Sequence, residues 1–204
     1  MEPDINMLID NFGLRKIEVL YFETMEEVKN YILNSIPCDA TVGIGHSLTL
    51  QTMGITDLLT ARGNKVYDKE LAKTKEECRE LKKKALLTDW YISGSNAVSA
   101  DGRIVNVDHS GNRVAAISFG PDKVIIVVGI NKVVNTKEEA VYRVKNVACH
   151  QNAERAGFNP PCVKLKRCVD CVSPERVCNT LSIIEGQSDR DRMKLIIVNE
   201  NLGY

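Results

Sequence analysis

The sequence has no excess of charge of either sign: 27 Lys and Arg balance 27 Asp and Glu over 204 residues, a formal net charge of zero. That balance excludes the chain-wide basic field of a general nucleic-acid or anionic-membrane binder. Aromatics are scarce at 5%, so the short basic patch Lys164, Lys166 and Arg167 does not read as a nucleic-acid knuckle. Long apolar runs are absent: Val124 to Val128 falls far short of the ~20 residues of a membrane span. The opening Met1-Glu2-Pro3-Asp4 has no basic n-region and no apolar h-region, so no secretory signal is expected and a cytoplasmic location follows. No low-complexity tract, linker or repeat divides the chain, and one domain over residues 1–204 is expected. What remains is ordinary globular material, 44% hydrophobic and 26% charged, and a chain this long buries roughly 70% of its unfolded surface.

Cysteine is the exception to this plainness. There are seven, an odd number in a chain expected to sit in a reducing compartment, where disulfides are unusual. Cys38, Cys78 and Cys149 are scattered and read as small buried hydrophobes. Cys162, Cys168, Cys171 and Cys178 crowd into residues 160–180 with the spacing C-x5-C-x2-C-x6-C. Four thiolates so placed can surround a tetrahedral zinc or an iron–sulfur cluster, although the spacing fits neither a zinc ribbon nor a ferredoxin run. The alternative is four packed thiols under a loop.

Strand and helix signals alternate along most of the length. Residues 16–22 (KIEVLYF) are β-branched and aromatic, and residues 40–44, 90–92, 124–128 and 195–198 are short apolar runs of strand type. Capping boxes at Thr24-Met25-Glu26-Glu27, Thr74-Lys75-Glu76-Glu77 and Thr136-Lys137-Glu138-Glu139 announce helices with apolar stripes behind them. Strands separated by helices indicate βαβ units and a mainly parallel sheet with helices on both faces. One stretch breaks the rhythm: apolar residues up to Val107, a polar turn His109-Ser110-Gly111-Asn112, then Val114 to Ile117, which reads as an inserted β-hairpin near residues 102–119.

In an open parallel sheet, ligands bind beyond the carboxyl ends of the strands. Three loops there carry small and polar residues: Gly43-Ile44-Gly45-His46-Ser47, Ser93-Gly94-Ser95-Asn96, and Gly129-Ile130-Asn131-Lys132. Glycines in the first loop let backbone N–H groups approach an anion at the start of the following helix. The hairpin adds Asp101, Asp108, Asn112 and Arg113, whose guanidinium suits bidentate capture of a carboxylate or phosphate; its alternative is a surface pairing with Asp108. Gly45, Ser47, Ser95, Asn96, Asn131, Lys132 and Arg113 are expected to converge in one cleft. His46, His109 and His150 stand too far apart in sequence to argue a metal triad, and spacing alone selects no catalytic group.

The ordered series GIGHSLTL, Thr88-Asp89-Trp90-Tyr91, GSNAV, DGRIVNVD, GNRVAA, FGP, VVGINKVV, N-x2-R, PC, C-x-D-C and S-P-E-R-x-C resembles the LUD (lactate-utilisation) domain family from about Thr41 to Tyr204. The resemblance implies a Rossmann-like three-layer α/β core similar to sugar-phosphate isomerases and CoA transferases. It implies a role around L-lactate or 2-hydroxy-acid oxidation, beside iron–sulfur partner subunits whose company favours the cluster at the cysteines. Carried over by motif, the ligand-binding positions are Gly45, Ser47 and Thr49; Gly94, Ser95 and Asn96; Asp101, Gly102, Asn112 and Arg113; and Asn131, Lys132, Asn152 and Arg155. Cys149-His150 stands where the family pattern has Ala-Pro. Three functions follow: an accessory subunit or enzyme of lactate oxidation, an independent enzyme on a phosphorylated or carboxylated metabolite, or a non-catalytic sensor or scaffold. The partners implied are an anionic small molecule, the iron–sulfur subunits and a second copy in a homo-oligomer.

Overall fold

The structure is a computed structural model that describes residues 4–204; the Met1-Glu2-Pro3 start, read for its lack of a signal, lies outside the described residues. The strands are β1 (Glu18–Phe22), β2 (Thr41–Ile44), β3 (Lys65–Asp68), β4 (Trp90–Gly94), β5 (Ala97–Ser99), β6 (Arg103–Asp108), β7 (Lys123–Gly129), β8 (Val133–Val134), β9 (Thr180–Ile184) and β10 (Met193–Val198). Around them pack α1 (Ile5–Leu14), α2 (Met25–Ser35), α3 (Leu48–Met53), α4 (Ile55–Ala61), α5 (Lys75–Lys84), α6 (Asn112–Ser118), α7 (Lys137–Arg143), α8 (Cys149–Arg155) and α9 (Pro161–Leu165). Among the described residues no helix is long and apolar enough to cross a membrane.

Six strands form one sheet in the order β1-β10-β7-β4-β2-β3, every pairing parallel. Its central strands are apolar throughout because both faces are covered. Val124, Ile126, Val128, Leu195 and Ile197 pack on one side with Leu8, Phe12 and Ile117. Ile125, Val127, Ile196 and Val198 pack on the other with Val28, Ile32, Leu50 and Leu59. The result is the expected three-layer, Rossmann-like core. A second, mixed sheet, β8-β5-β6-β9, adds Val98, Ile104 and Val133 to the first of these layers.

The capping boxes perform as their chemistry dictates. The hydroxyls of Thr24, Thr74 and Thr136 accept from the backbone N–H of Glu27, Glu77 and Glu139, and each Glu carboxylate accepts a backbone N–H at or just before its cap. The hairpin lies elsewhere than the alternation suggested. It is formed by β5 and β6 and turns at Ala100–Gly102, where Gly102 has φ +91°. Residues 112–118 are helical, not a returning strand. The cause is Asp108, whose carboxylate accepts from the backbone N–H of Arg113 at 2.9 Å and of Val114 at 3.4 Å, capping α6 across the turn. Val114, Ala116 and Ile117 are then buried on the helix's inner face. Asp108→Ala is expected to lower stability by ~1–2 kcal/mol with an unchanged m-value, read from urea unfolding.

Of the scattered thiols, Cys149 is buried as expected, but Cys38 is exposed and Cys78 half-buried. Cys38 sits in the turn between α2 and β2, between the core residues Ile36 and Ala40.

Candidate functional site

After β2 the chain moves outward to β3, and after β4 it moves the other way to β7. Between β2 and β4 the crossovers diverge, leaving a crevice at the carboxyl ends of both strands. A cleft of about 360 Å³ opens there. Of the residues singled out from sequence, His46, Ser47, Gly94, Ser95, Asn96, Asp108, Asn112, Arg113, Lys132, Asn152 and Arg155 line it.

The remaining candidates lie outside the lining. Gly43 and Gly45 serve close packing: a Cβ on Gly43 would stand 2.8 Å from Ala85 O, and one on Gly45 would stand 2.5 Å from Ser93 Oγ. The Gly45 N–H already donates to Ile92 O at 2.8 Å, and the helix that follows is only six residues long, so this loop is a strand-packing device. Thr49 is fully buried and touches the site only through its hydroxyl, 3.5 Å from Lys132 Nζ. Asn131 anchors the C-terminal residues, accepting from Leu202 N–H at 3.1 Å. Asp101 belongs to the hairpin turn, where it accepts from Ser99 Oγ and from the Lys137 N–H that opens α7.

The floor of the cleft is cationic. Lys132 leaves the end of β7 and is only 5% exposed. Burial, then the charges of Arg143 and Arg113, pull its pKa down to about 7. Among the described residues it forms no ion pair, and Thr49 Oγ1 is its one hydrogen-bond partner. Gly203, at φ +63°, lets the chain pass so close that a Cβ there would stand 3.1 Å from Lys132 Nζ. Arg113 is 8% exposed, but its fork is occupied by the protein: Nη1 donates to Gly94 O and Asn106 Oδ1, Nη2 to Asn96 Oδ1 and Val107 O. All four acceptors are neutral, so its geometry braces the wall, and the Asp108 carboxylate nearby favours its charged form. Arg143 is held by the backbone oxygens of Asn131, Asn96 and Tyr204.

One rim is a chain of polar groups from three elements. His46 Nδ1 lies 3.0 Å from Glu70 Oε1, and Arg155 Nη2 lies 2.7 Å from His46 Nε2. Because Arg155 can only donate, Nε2 accepts and the ring proton sits on Nδ1, facing Glu70. Burial and the Lys69 charge hold the imidazole neutral, its pKa lowered to about 4. Arg155 also donates to Asn152 Oδ1 at 3.0 Å.

Sequence reasoning missed Glu70, His109, Cys149 and Tyr204 in the lining, and Arg143 behind Lys132. Cys149 follows a π-helical turn, Val144–Ala148, inserted between α7 and α8; such turns are frequent at functional sites. The Cys149 thiol meets Cys178, and that hydrogen bond, with burial, pushes it well above the usual thiol range. Cys178 moves the opposite way, through the same hydrogen bond and the Arg176 charge. His150 is buried beside it, Nε2 2.9 Å from Asn146 O and Nδ1 without a partner among the described residues.

A doubly wound α/β domain with a cationic cleft at its switch point is the class of protein these features define. The LUD domain family matches residues 5–198, and the chain belongs to that family. A crystal structure of a DUF162 family protein from Deinococcus radiodurans superposes with TM-score 0.56 at 19% identity, covering 96% of each chain, a likeness of fold. eIF2B delta from Chaetomium thermophilum gives TM-score 0.37 at 15% identity over 67% of this chain and 55% of that one, too low for a shared fold to be read from it. None of the curated proteins matches this chain.

Proposed function

We propose that the cleft binds a small carboxylate or phosphate metabolite, of the 2-hydroxy-acid class handled in lactate utilisation, with Lys132 as the anchoring cation. The observation that carries this reading is the Lys132 ammonium, buried beside Arg113 and Arg143 without an acidic partner among the described residues. A buried charge is costly unless paired, so a site that gathers three cations is poised for an anion. Membership of the LUD family supports work in L-lactate or related oxidation, as an accessory subunit or enzyme beside iron–sulfur subunits.

Calorimetric titration with L-lactate, pyruvate and inorganic phosphate tests this. In the free protein Lys132 is half protonated near pH 7, and a bound anion raises its pKa. Binding therefore takes up protons at and above neutral pH, and affinity is fully present below pH 7. It falls by up to about tenfold per pH unit above that, until the bound-state pKa is passed. Lys132→Met should abolish both binding and proton uptake. A pH-independent affinity, or no heat with any of the three anions, would sink the proposal.

A further inference from the structure

The segment after α9 is long and thinly anchored. Residues 166–179 contain no helix or strand, and no residue between Cys162 and Val177 is buried; Val172 is 98% exposed. Loops of this length are uncommon in a compact domain, and apolar burial does not hold this one. Its backbone is specific all the same. Asp170 takes φ +44°, a left-handed conformation that costs a non-glycine residue ~1 kcal/mol or more unless its surroundings fix it. The effect is to aim the Asp170 N–H at the Cys168 sulfur, 3.4 Å away. Arg176 reaches across the loop, donating to the carbonyls of Cys171 and Cys178 and pairing with Asp170 at 3.2 Å. The Cys168 N–H donates to Asn146 Oδ1 at 2.9 Å, tying the loop to the π-helical turn before Cys149.

We infer that Cys162, Cys168, Cys171 and Cys178 hold a cubane iron–sulfur cluster, with Cys149 beside it as a positioning residue. An N–H directed at sulfur across a bent Cys-x-x-Cys serves an anionic thiolate, and such bonds tune clusters. Zinc would need all four sulfurs within ~2.3 Å of one point, whereas in a cubane each iron takes one thiolate and the sulfurs stand further apart around the core. The four thiols share one neighbourhood, since Cys162 feels the charges of Cys171, Cys178 and Cys168. The Arg176 charge offsets the negative charge that four thiolates bring. Cys149, which faces Cys178 and also lines the cleft, puts a thiol donor between the cluster and the bound anion.

Iron, acid-labile sulfide and zinc are measured on the full chain purified anaerobically and after reconstitution with ferrous iron and sulfide. About four irons and four sulfides per chain are expected, with a broad visible band lost on reduction. Cys171→Ser should lose the iron. Cys149→Ala should keep it but lower the reduction potential, since a hydrogen bond to the Cys178 sulfur is gone. One zinc per chain without iron, no metal under either condition, or a Cys149–Cys178 disulfide in the anaerobic protein would each overturn the cluster. Iron loss in Cys149→Ala, or an unchanged potential, would overturn the role given to Cys149. Should Cys171→Ser fail to fold, the iron and sulfide content of the unaltered chain decides the matter.

Discussion

Lys132→Met is expected to make the protein more stable while removing its anion binding. The lysine is buried without an acidic partner among the described residues, and its pKa falls from 10.5 to about 7. At ~1.4 kcal/mol per unit, that depression corresponds to a native-state penalty of roughly 4–5 kcal/mol. The sign follows from linkage. Below pH 7 both native and unfolded chains carry the charge and the whole penalty is present. Between pH 7 and 10.5 only the unfolded chain holds the proton, so stability rises with pH; above that range the term vanishes. Methionine keeps the length and apolar stem of the side chain and leaves no charge to desolvate. After losses in local packing, a net gain of ~1–3 kcal/mol is reasonable, a rise in Tm of ~2–4 °C per kcal/mol. Thermal melts at neutral and alkaline pH check it: the gap between variant and parent should be widest at or below neutrality and narrow as pH rises. A variant less stable than its parent at pH 7 would remove the argument. Trading stability for a charged binding group is a familiar pattern at functional sites.

Arg113→Met is expected to do the reverse, lowering stability by ~3–5 kcal/mol. Both residues are buried cations on the same cleft, and the difference lies in hydrogen bonding. The Arg113 fork donates to Gly94 O at 3.1 Å, Asn96 Oδ1 at 2.8 Å and Val107 O at 2.7 Å, as well as to Asn106 Oδ1. Removing it breaks four charge-assisted hydrogen bonds at ~1.5–3 kcal/mol each. The loss is partly offset because Gly94 O, Asn96 Oδ1 and Asn106 Oδ1 keep other donors (Ser93 Oγ and the N–H groups of Val107 and Asn96) and because a desolvated charge is lost. Arg113→Lys should recover little of the loss, because one ammonium cannot serve a planar fork. The urea midpoint is the measurement, and a change under ~1 kcal/mol would show that the network does not hold the wall.

The contrast marks how far the sequence could be read. Arg113 and Lys132 were both legible as cations near a ligand, since each follows a polar loop after an apolar run. Which of them is occupied by the protein and which is left open depends on Asn96 and Asn106, brought together only when β5 and β6 pair. The three capping boxes were legible because their chemistry is local to four residues. The run Val114 to Ile117 was not, because so short an apolar stretch satisfies strand and helix alike. Asp108 decided it, by capping across five residues. The glycines of the first loop were correctly singled out, but the reason is the close approach of β2 to β4, which no local pattern announces. Glu70 and Arg143 stand at positions that no motif marks, and Cys149 reads as one of the scattered thiols, so only the topology places them at the cleft.

The sheet order also bears on how the molecule is made. β1 pairs with β10 alone, Glu18 opposite Lys194 and Phe22 opposite Val198, so the first strand synthesised must wait for the last. Until residues 193–198 leave the ribosome, α1 and β1 have no neighbour in the sheet and the edge of β7 stands open. Such long-range closure predicts slow folding and a partly assembled, strand-exposing species during synthesis. Truncation before Met193 would remove the strand that joins β1 to the sheet, leaving β7, β4, β2 and β3 able to pair but β1 without a neighbour and the β7 edge open.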